Sequence, residues 1–100
     1  MIKHVVMWKL KEQADAGLKA AQAQQLKQRL EALNGRIPGL LHLEVGIDFV
    51  QAETSYDVVL YSELESRAAL EVYQQHPEHQ AVVPLVREFA ASRVAVDYDA

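Results

Sequence analysis

The sequence predicts one α+β domain in which a four-stranded antiparallel sheet carries its helices on one face. Three observations lead to this prediction. Apolar residues alternate from Leu41 to Phe49, as they do in a strand with one buried face. Leucines at helical spacing precede that strand, and Pro77 interrupts a second helical stretch after it. With 100 residues, half of them hydrophobic, the chain can bury one core, so residues 1–100 are expected to form a single domain.

The first strand is predicted from Ile2 to Leu10, and both of its faces carry apolar groups. Four apolar residues share one face with His4, namely Ile2, Val6, Trp8 and Leu10. Val5 and Met7 lie on the opposite face, so we expect this strand to be covered on both sides.

The first helix is predicted from about Ala16 to Leu33, with Asp15 as its N-cap. A stripe of leucines at helical spacing should face the sheet, and its members are Leu18, Leu26, Leu30 and Leu33. Asn34-Gly35 should end the helix, because glycine readily adopts the left-handed backbone found at helix C-termini.

The second and third strands are predicted from Leu41 to Phe49 and from Tyr56 to Ser62, and a short polar loop joins them as a hairpin. Five alternating residues of the second strand should face the core: Leu41, Leu43, Val45, Ile47 and Phe49.

Two helices and a strand should complete the chain. Ser66 is predicted to cap a helix from Arg67 to Gln75, which Pro77 ends. A shorter helix is expected from about Gln80 to Ala90, and the last strand from Arg93 to Tyr98.

The resulting order β-α-β-β-α-β is the ferredoxin-like arrangement, which leaves the second face of the sheet without helices. Here that face is apolar. Val5 and Met7 lie on it if His4 faces the helices, and the third strand is apolar at every position from Val58 to Leu60. Because an exposed apolar sheet face usually marks an interface, we expect a homodimer whose two sheets pack face to face as an α/β barrel.

Composition argues against several classes of partner. The chain has 10 Lys+Arg against 14 Asp+Glu and a net charge of −4, which disfavours nucleic acid. No apolar run approaches the roughly 18–20 residues of a membrane span, so no membrane partner is expected. The chain has no cysteine, and no secretory signal follows Met1, so a cytoplasmic location is expected.

The segment from Tyr73 to His79 is the strongest candidate for chemistry, because it holds two of the four histidines, three residues apart around Pro77. His4 could add a third imidazole from the sheet beneath. One interpretation is acid–base catalysis, in which histidine exchanges a proton near neutral pH and the Tyr73 hydroxyl holds a substrate oxygen. A second is a metal ion bound by three histidines. A third is structural: His76 caps a helix, His79 bonds a backbone carbonyl and His4 is satisfied in the core.

Three other polar or aromatic residues have simpler interpretations. Trp8 is expected to be a core residue beside the first helix. Arg93 and Asp97 share one face of the last strand and are expected to pair with neighbouring charges in a structural role.

Several segments, in order, resemble the stress-responsive α/β-barrel (Dabb) family, and the resemblance covers nearly the whole chain. The most specific are the opening histidine His4, the Tyr-x-x-His-Pro-x-His run from Tyr73 to His79 and the closing Asp97-Tyr98. The others are Ile37-Pro38-Gly39-Leu40, Val45-Gly46-Ile47-Asp48 and Tyr56-Asp57-Val58-Val59-Leu60.

The resemblance implies a ferredoxin-like monomer that dimerises into an α/β barrel. Some plant members are stress-induced, and one branch comprises polyketide cyclases, which use two histidines with nearby tyrosines in a pocket between sheet and helices. In this chain the resemblance places those roles on His4, His79 and Tyr73, while Leu30 stands where the cyclases have a further tyrosine. Some members also hold a cation with backbone oxygens after the first helix, which corresponds to Asn34 to Leu40 here.

Three functions follow as hypotheses. The first is a protein that binds a small hydrophobic or carbonyl compound, with Trp8, Leu30 and His76 as pocket or structural residues. The second is a cyclase, isomerase or lyase without a cofactor, in which His79 is the base while His4 and Tyr73 hold the substrate oxygen. The third is a haem- or quinone-type monooxygenase of the same architecture. No cofactor is expected for the first two.

Overall fold

The computed structural model describes all residues from 1 to 100, and its four strands form one antiparallel sheet. The strands are β1 (Ile2–Leu10), β2 (Leu40–Ile47), β3 (Val58–Leu64) and β4 (Ala90–Asp99). The helices are α1 (Ala16–Glu31), α2 (Arg67–Gln75), α3 (Pro77–Gln80) and α4 (Val83–Phe89). The strand order is β2-β3-β1-β4, and every neighbouring pair is antiparallel, which confirms the predicted ferredoxin-like α+β fold.

Helix α1 begins as predicted, but its buried face is shorter than predicted. The Asp15 carboxylate accepts a hydrogen bond from the Gly17 amide at 2.8 Å, which satisfies one of the free amides of the first turn. Leu18, predicted to be buried, is 46% exposed. The first buried residue of α1 is Ala23, because the opening turns of the helix do not reach the sheet.

The end of α1 covers the free edge of β2, which is an outer strand. The Asn34 side chain accepts from the Leu43 amide at 2.9 Å and donates to the Leu43 carbonyl at 2.7 Å. Glu31 accepts from the Val45 amide at 3.0 Å, and Lys27 donates to the Val45 carbonyl at 2.6 Å. These side chains occupy backbone groups that could otherwise pair with another strand.

Strand β2 corrects two predicted core positions. The register against β3 shifts between Leu40 and His42, so Leu40 faces the core and Leu41 is 52% exposed. This bulge breaks the simple alternation on which the prediction relied. Phe49 lies beyond the end of the strand and is 91% exposed.

The region after α2 differs from the prediction of one helix from Gln80 to Ala90. Pro77 opens a separate one-turn helix, α3, because proline fits the first turn, where no amide donor is needed. The His76 side chain caps α3 by accepting from the Glu78 amide at 3.1 Å. Strand β4 then starts at Ala90, three residues before the predicted start at Arg93.

The two faces of the sheet differ in cover. Helices pack on the face that carries His4, and 19 buried hydrophobic residues form the core between them. The opposite face, which we call the outer face, has no helix. Its apolar side chains include Val5, Met7, Val59, Val94 and Val96, which are neighbours across β3, β1 and β4. Met7, Val94 and Val96 are 38%, 41% and 53% exposed, so the predicted apolar outer face is confirmed. No helix combines the length and the apolar character needed to cross a bilayer.

Candidate active site between sheet and helices

A cavity of about 590 Å³ lies between the sheet and the helices. Strands β1, β3 and β4 form its floor, while α1, α2, α3 and α4 contribute its walls. Its lining is mostly hydrophobic, with polar groups from His4, Tyr73, His79, Gln80, Arg87, Ser92 and Arg93. A largely apolar cavity of this size with a few polar groups is typical of small-molecule sites.

His4 lies near the middle of the inner face of β1 and is buried. Antiparallel pairing places Asp97 of β4 directly opposite, and His4 Nδ1 is hydrogen-bonded to Asp97 Oδ1. Because a carboxylate only accepts, Nδ1 carries the proton in this pair, and Nε2 is left without a protein partner. Asp97 thus fixes the tautomer and the orientation of the imidazole.

Tyr73 extends from α2 between the two histidines and is 1% exposed. Its ring centroid lies 5.9 Å from that of His4 and 4.5 Å from that of His79. The Tyr73 hydroxyl has no hydrogen bond to protein. It is not fully buried either, because the only fully buried polar side-chain atom without a partner is Gln22 Oε1. The hydroxyl therefore keeps access to the cavity. Burial raises the pKa of Tyr73, so its phenol stays protonated and can donate a hydrogen bond.

His79 lies on α3, held there by the turn that His76 and Pro77 begin. Its Nδ1 donates to the Gln74 carbonyl at 3.0 Å, which leaves Nε2 as the nitrogen with a free lone pair. Burial lowers the pKa of His79 below the ordinary value, and the nearby charges of His4 and Arg93 lower it further. The imidazole is therefore neutral near pH 7, as a general base must be.

The three predicted catalytic residues, His4, Tyr73 and His79, all line this one cavity. They offer a phenol that can donate, an imidazole paired with a carboxylate and a neutral imidazole with a free lone pair. A substrate carbonyl oxygen could be held by the phenol and a substrate hydroxyl by His4 Nε2, while His79 takes a proton from carbon.

The other predicted residues divide between the cavity and its support. Trp8 is 5% exposed in the core, as predicted, and also lines the cavity. Leu30 forms part of the wall without filling the space. His76 does not line the cavity and caps α3, which is the structural role weighed for it. Both hydrogen bonds of the structural interpretation are present for His76 and His79, yet His79 keeps its second nitrogen free.

The metal interpretation finds no ligand set in this arrangement. No group of three or more His, Cys, Asp or Glu side chains comes close enough to hold a metal ion. In the Asn34–Leu40 turn, the carbonyls of Ile37 and Gly39 accept from backbone amides. A cation at this turn stays a prediction from the family resemblance.

Sequence reasoning missed two residues as parts of the site. Asp97 was expected in a structural ion pair, but its partner is the imidazole of His4. Arg93 was expected to pair with a neighbouring charge, but it lines the cavity without forming an ion pair. The signal that could have found both is strand register: counting back from the antiparallel partner places Asp97 beside His4 and Arg93 beside Trp8.

Comparison with known proteins agrees with this architecture. The family model for the stress responsive A/B barrel domain (Dabb) matches residues 2–100 of this sequence. An uncharacterised protein of Streptomyces coelicolor is 33% identical over 99 residues, which is 99% of each chain.

Solved structures are similar over almost the whole chain. A dimeric protein of unknown function with a ferredoxin-like fold from Bacteroides fragilis has a TM-score of 0.88 at 30% identity, covering 99% of this chain and 95% of that one. A dimeric ferredoxin-like protein of unknown function from Thermobifida fusca has a TM-score of 0.84 at 26% identity, covering 99% and 90%. An antibiotic biosynthesis monooxygenase and the hydroxynitrile lyase of Passiflora edulis also match, but at 20% and 17% identity they share the fold alone.

Proposed function

We propose that this chain, which belongs to the stress responsive A/B barrel (Dabb) domain family, binds a small apolar carbonyl compound and moves a proton on it without a cofactor. The observation that carries the proposal is that His4, Tyr73 and His79 meet at one open cavity, each with a polar atom that no protein group occupies. None of these three atoms is sealed from the cavity, so a ligand that enters it can supply their missing partners.

The three side chains take different roles in this proposal. His79 Nε2 accepts the proton from the carbon next to the carbonyl group, because this imidazole is neutral at pH 7. The electron pair left on carbon moves onto the carbonyl oxygen, which the Tyr73 hydroxyl holds through a hydrogen bond. His4 Nε2, oriented by Asp97, accepts a hydrogen bond from a hydroxyl or enol group of the substrate. Return of the proton from His79 to carbon completes an isomerisation or exchange, and attack of the carbanion on a second carbonyl would give a cyclisation.

Deuterium exchange tests the proton transfer without knowledge of the natural substrate. The protein is incubated in D₂O with phenylacetone, cyclohexanone or phenylacetaldehyde, and NMR follows loss of the proton beside the carbonyl. We expect exchange above the buffer rate for at least one compound, and a loss of about 10²-fold or more in His79→Asn. Asparagine can still donate to the Gln74 carbonyl, so the variant removes the base while the local bond is kept. His42→Ala is the matched control, because His42 is exposed and lies outside the cavity. Exchange that is unchanged in His79→Asn would remove the role given to His79.

Binding without turnover is the second candidate, and the apolar wall at Leu30 favours it. That position offers no hydrogen bond to a polar intermediate. Compounds that shift the NMR signals of the cavity residues but exchange no proton would support this candidate against the enzyme. The third hypothesis, a monooxygenase, stays a prediction that titration with haem can test. The cytoplasmic location also stays a prediction from the sequence.

The proposal includes a homodimer formed through the outer face of the sheet. Two features support it: the outer face exposes adjacent apolar side chains, and the relatives from Bacteroides fragilis and Thermobifida fusca are described as dimeric. A two-fold dimer would bury this self-complementary face and leave the cavity, which lies on the opposite side of the sheet, open to ligand.

A further inference from the structure

The cavity carries a charge opposite in sign to that of the chain. Arg87 of α4 and Arg93 of β4 both line it, and no aspartate or glutamate does. The whole chain, in contrast, has 14 Asp+Glu against 10 Lys+Arg. Two arginines around an opening without acids form a local positive site on an otherwise acidic protein.

Neither arginine makes a polar side-chain contact that stabilises the fold. Arg87 and Arg93 form no ion pair and donate no hydrogen bond to the protein, although both are exposed beside the cavity. The acids on the inner face of β4 already have other partners: Asp97 with His4, and Asp99 with Arg67. The two guanidinium groups are therefore free to bind a group from solution.

We propose that the cavity binds an anion: a small compound with an apolar body and a carboxylate or phosphate group that Arg87 and Arg93 hold at the cavity opening. This inference rests on the proposed function and narrows its substrate class. Guanidinium presents paired donors that match two oxygens of a carboxylate or phosphate. The apolar body would lie against Val82, Val86 and Leu60, which line the same space.

The arrangement also orients the ligand. An anionic group at the arginines fixes one end, and the carbonyl group then extends inward towards His4 and Tyr73. Binding energy from the anionic end would thus place the reacting carbon near His79. Compounds without the anionic group should bind in several orientations and react slowly.

Three probes that share one ring system test the proposal: naphthylacetate, naphthyl phosphate and the neutral naphthylacetamide. Isothermal titration calorimetry measures each dissociation constant, and NMR shifts of the cavity residues confirm where each probe binds. We expect at least one anion to bind about tenfold or more tightly than the amide, with an advantage that shrinks as salt is added. Whether acetate or phosphate binds better identifies the preferred group.

Arginine variants locate the effect. Arg87→Gln and Arg93→Gln should each weaken binding of the anion by about tenfold and leave binding of the amide unchanged. Arg29→Gln is the matched control, since Arg29 is also exposed and forms no ion pair but does not line the cavity. If all three probes bind in the cavity with equal affinity, the anion site is wrong and the proposed function stands. If no probe shifts the cavity residues, both fail.

Discussion

At the scale of single residues, environment suits two chemically identical side chains to different proposed roles. Asp97 holds Nδ1 of His4, whereas a backbone carbonyl accepts from Nδ1 of His79. The carboxylate fixes the tautomer and the orientation of the first imidazole. The second is partly desolvated and faces positive neighbours, so it suits proton acceptance. Two like groups in separate environments can thus serve different steps.

The pH dependence of His79 follows from this environment. We expect its NMR titration midpoint to lie below the ordinary histidine value of 6.5, because burial disfavours the charged ring. Proton-transfer activity should therefore persist as the pH falls through 6.5 and be lost at lower pH. Comparison with the spectrum of His79→Asn assigns the signal, and a midpoint at or above 6.5 would contradict the neutral base.

The lowered pKa of His79 also makes the stability of the protein depend on pH. The unfolded chain binds the proton at His79 near pH 6.5, while the folded chain binds it only at lower pH. The unfolded state thus gains protons first, and the contribution of His79 to the free energy of unfolding falls as the pH drops through that window. Above pH 6.5 neither state is protonated at this site and the effect vanishes.

Asp97→Asn tests the pairing with His4. Asparagine has nearly the same shape but is a weaker acceptor for the Nδ1 proton and orients His4 less firmly, so we expect deuterium exchange to fall by about 10²-fold, as when one oriented hydrogen-bonding group is lost. The downfield NMR signal of the His4 Nδ1 proton should also move or disappear. Asp99→Asn is the control, because Asp99 lies two residues further on the same face and pairs with Arg67 at the surface. An equal loss in both variants would indicate a general effect of charge on β4.

At the scale of elements, the position of Tyr73 depends on how closely α2 approaches the turn before β2. Gly39 in that turn has φ of +83°, and a Cβ there would lie 2.7 Å from the Cβ of Ala69 on α2. The glycine therefore serves two needs, the left-handed backbone and the close approach. Ala69 lies one helical turn before Tyr73, so displacement of α2 at this point would move the phenol.

Gly39→Ala should accordingly destabilise the protein by about 1–3 kcal/mol more than Gly35→Ala, the cost of overpacking a close contact. Gly35 is a matched control because its φ is +77°, yet nothing lies within 4 Å of a Cβ built there. Both variants incur the left-handed backbone cost of roughly 1–2 kcal/mol, and only the first adds a clash. Urea unfolding measures the difference, and equal midpoints would mean that α2 is not held by this contact.

Many of the helices and strands could be predicted from the sequence, because helix caps and the alternation of apolar residues are local signals. The bounds of the strand from Ile2 to Leu10 and of the helix from Arg67 to Gln75 are confirmed. The exposure of Leu41 could not be predicted, since the bulge that turns it outward depends on pairing with β3. The prediction of the site was incomplete for a similar reason. The Tyr-x-x-His-Pro-x-His run led to His79, but only the pairing of β1 with β4 brings Asp97 to His4.

At the scale of the whole molecule, the sheet separates the two functions proposed for it. Its inner face supports the core and the cavity, and its outer face presents the apolar side chains assigned to the dimer. Because alternate residues of each strand point to opposite faces, a substitution on the outer face can be made next to the site without entering it. Val96 is one residue from Asp97 yet faces away from the cavity.

Val96→Asp should therefore separate the dimer and leave the cavity intact. We expect the wild-type chain to sediment at twice the 11.2 kDa of one chain at micromolar concentration, and the variant as a monomer. Val72→Asp is the control, because Val72 is 48% exposed on α2 and lies off the sheet. A wild-type monomer, or a variant that remains dimeric, would show that the outer face is not the interface.

The pairing of His4 with Asp97 joins residues 93 positions apart in the chain. During synthesis on the ribosome, β1 emerges first, and its edge stays open until β4 has been made. Pairing of β1 with β3 can assemble most of the core beforehand, but the imidazole has no acceptor at that stage. Strand β4, the last of these four strands in chain order, thus completes the site, and a nascent chain that stops at α4 would hold the cavity residues His4, Tyr73 and His79 without the carboxylate that orients the first of them.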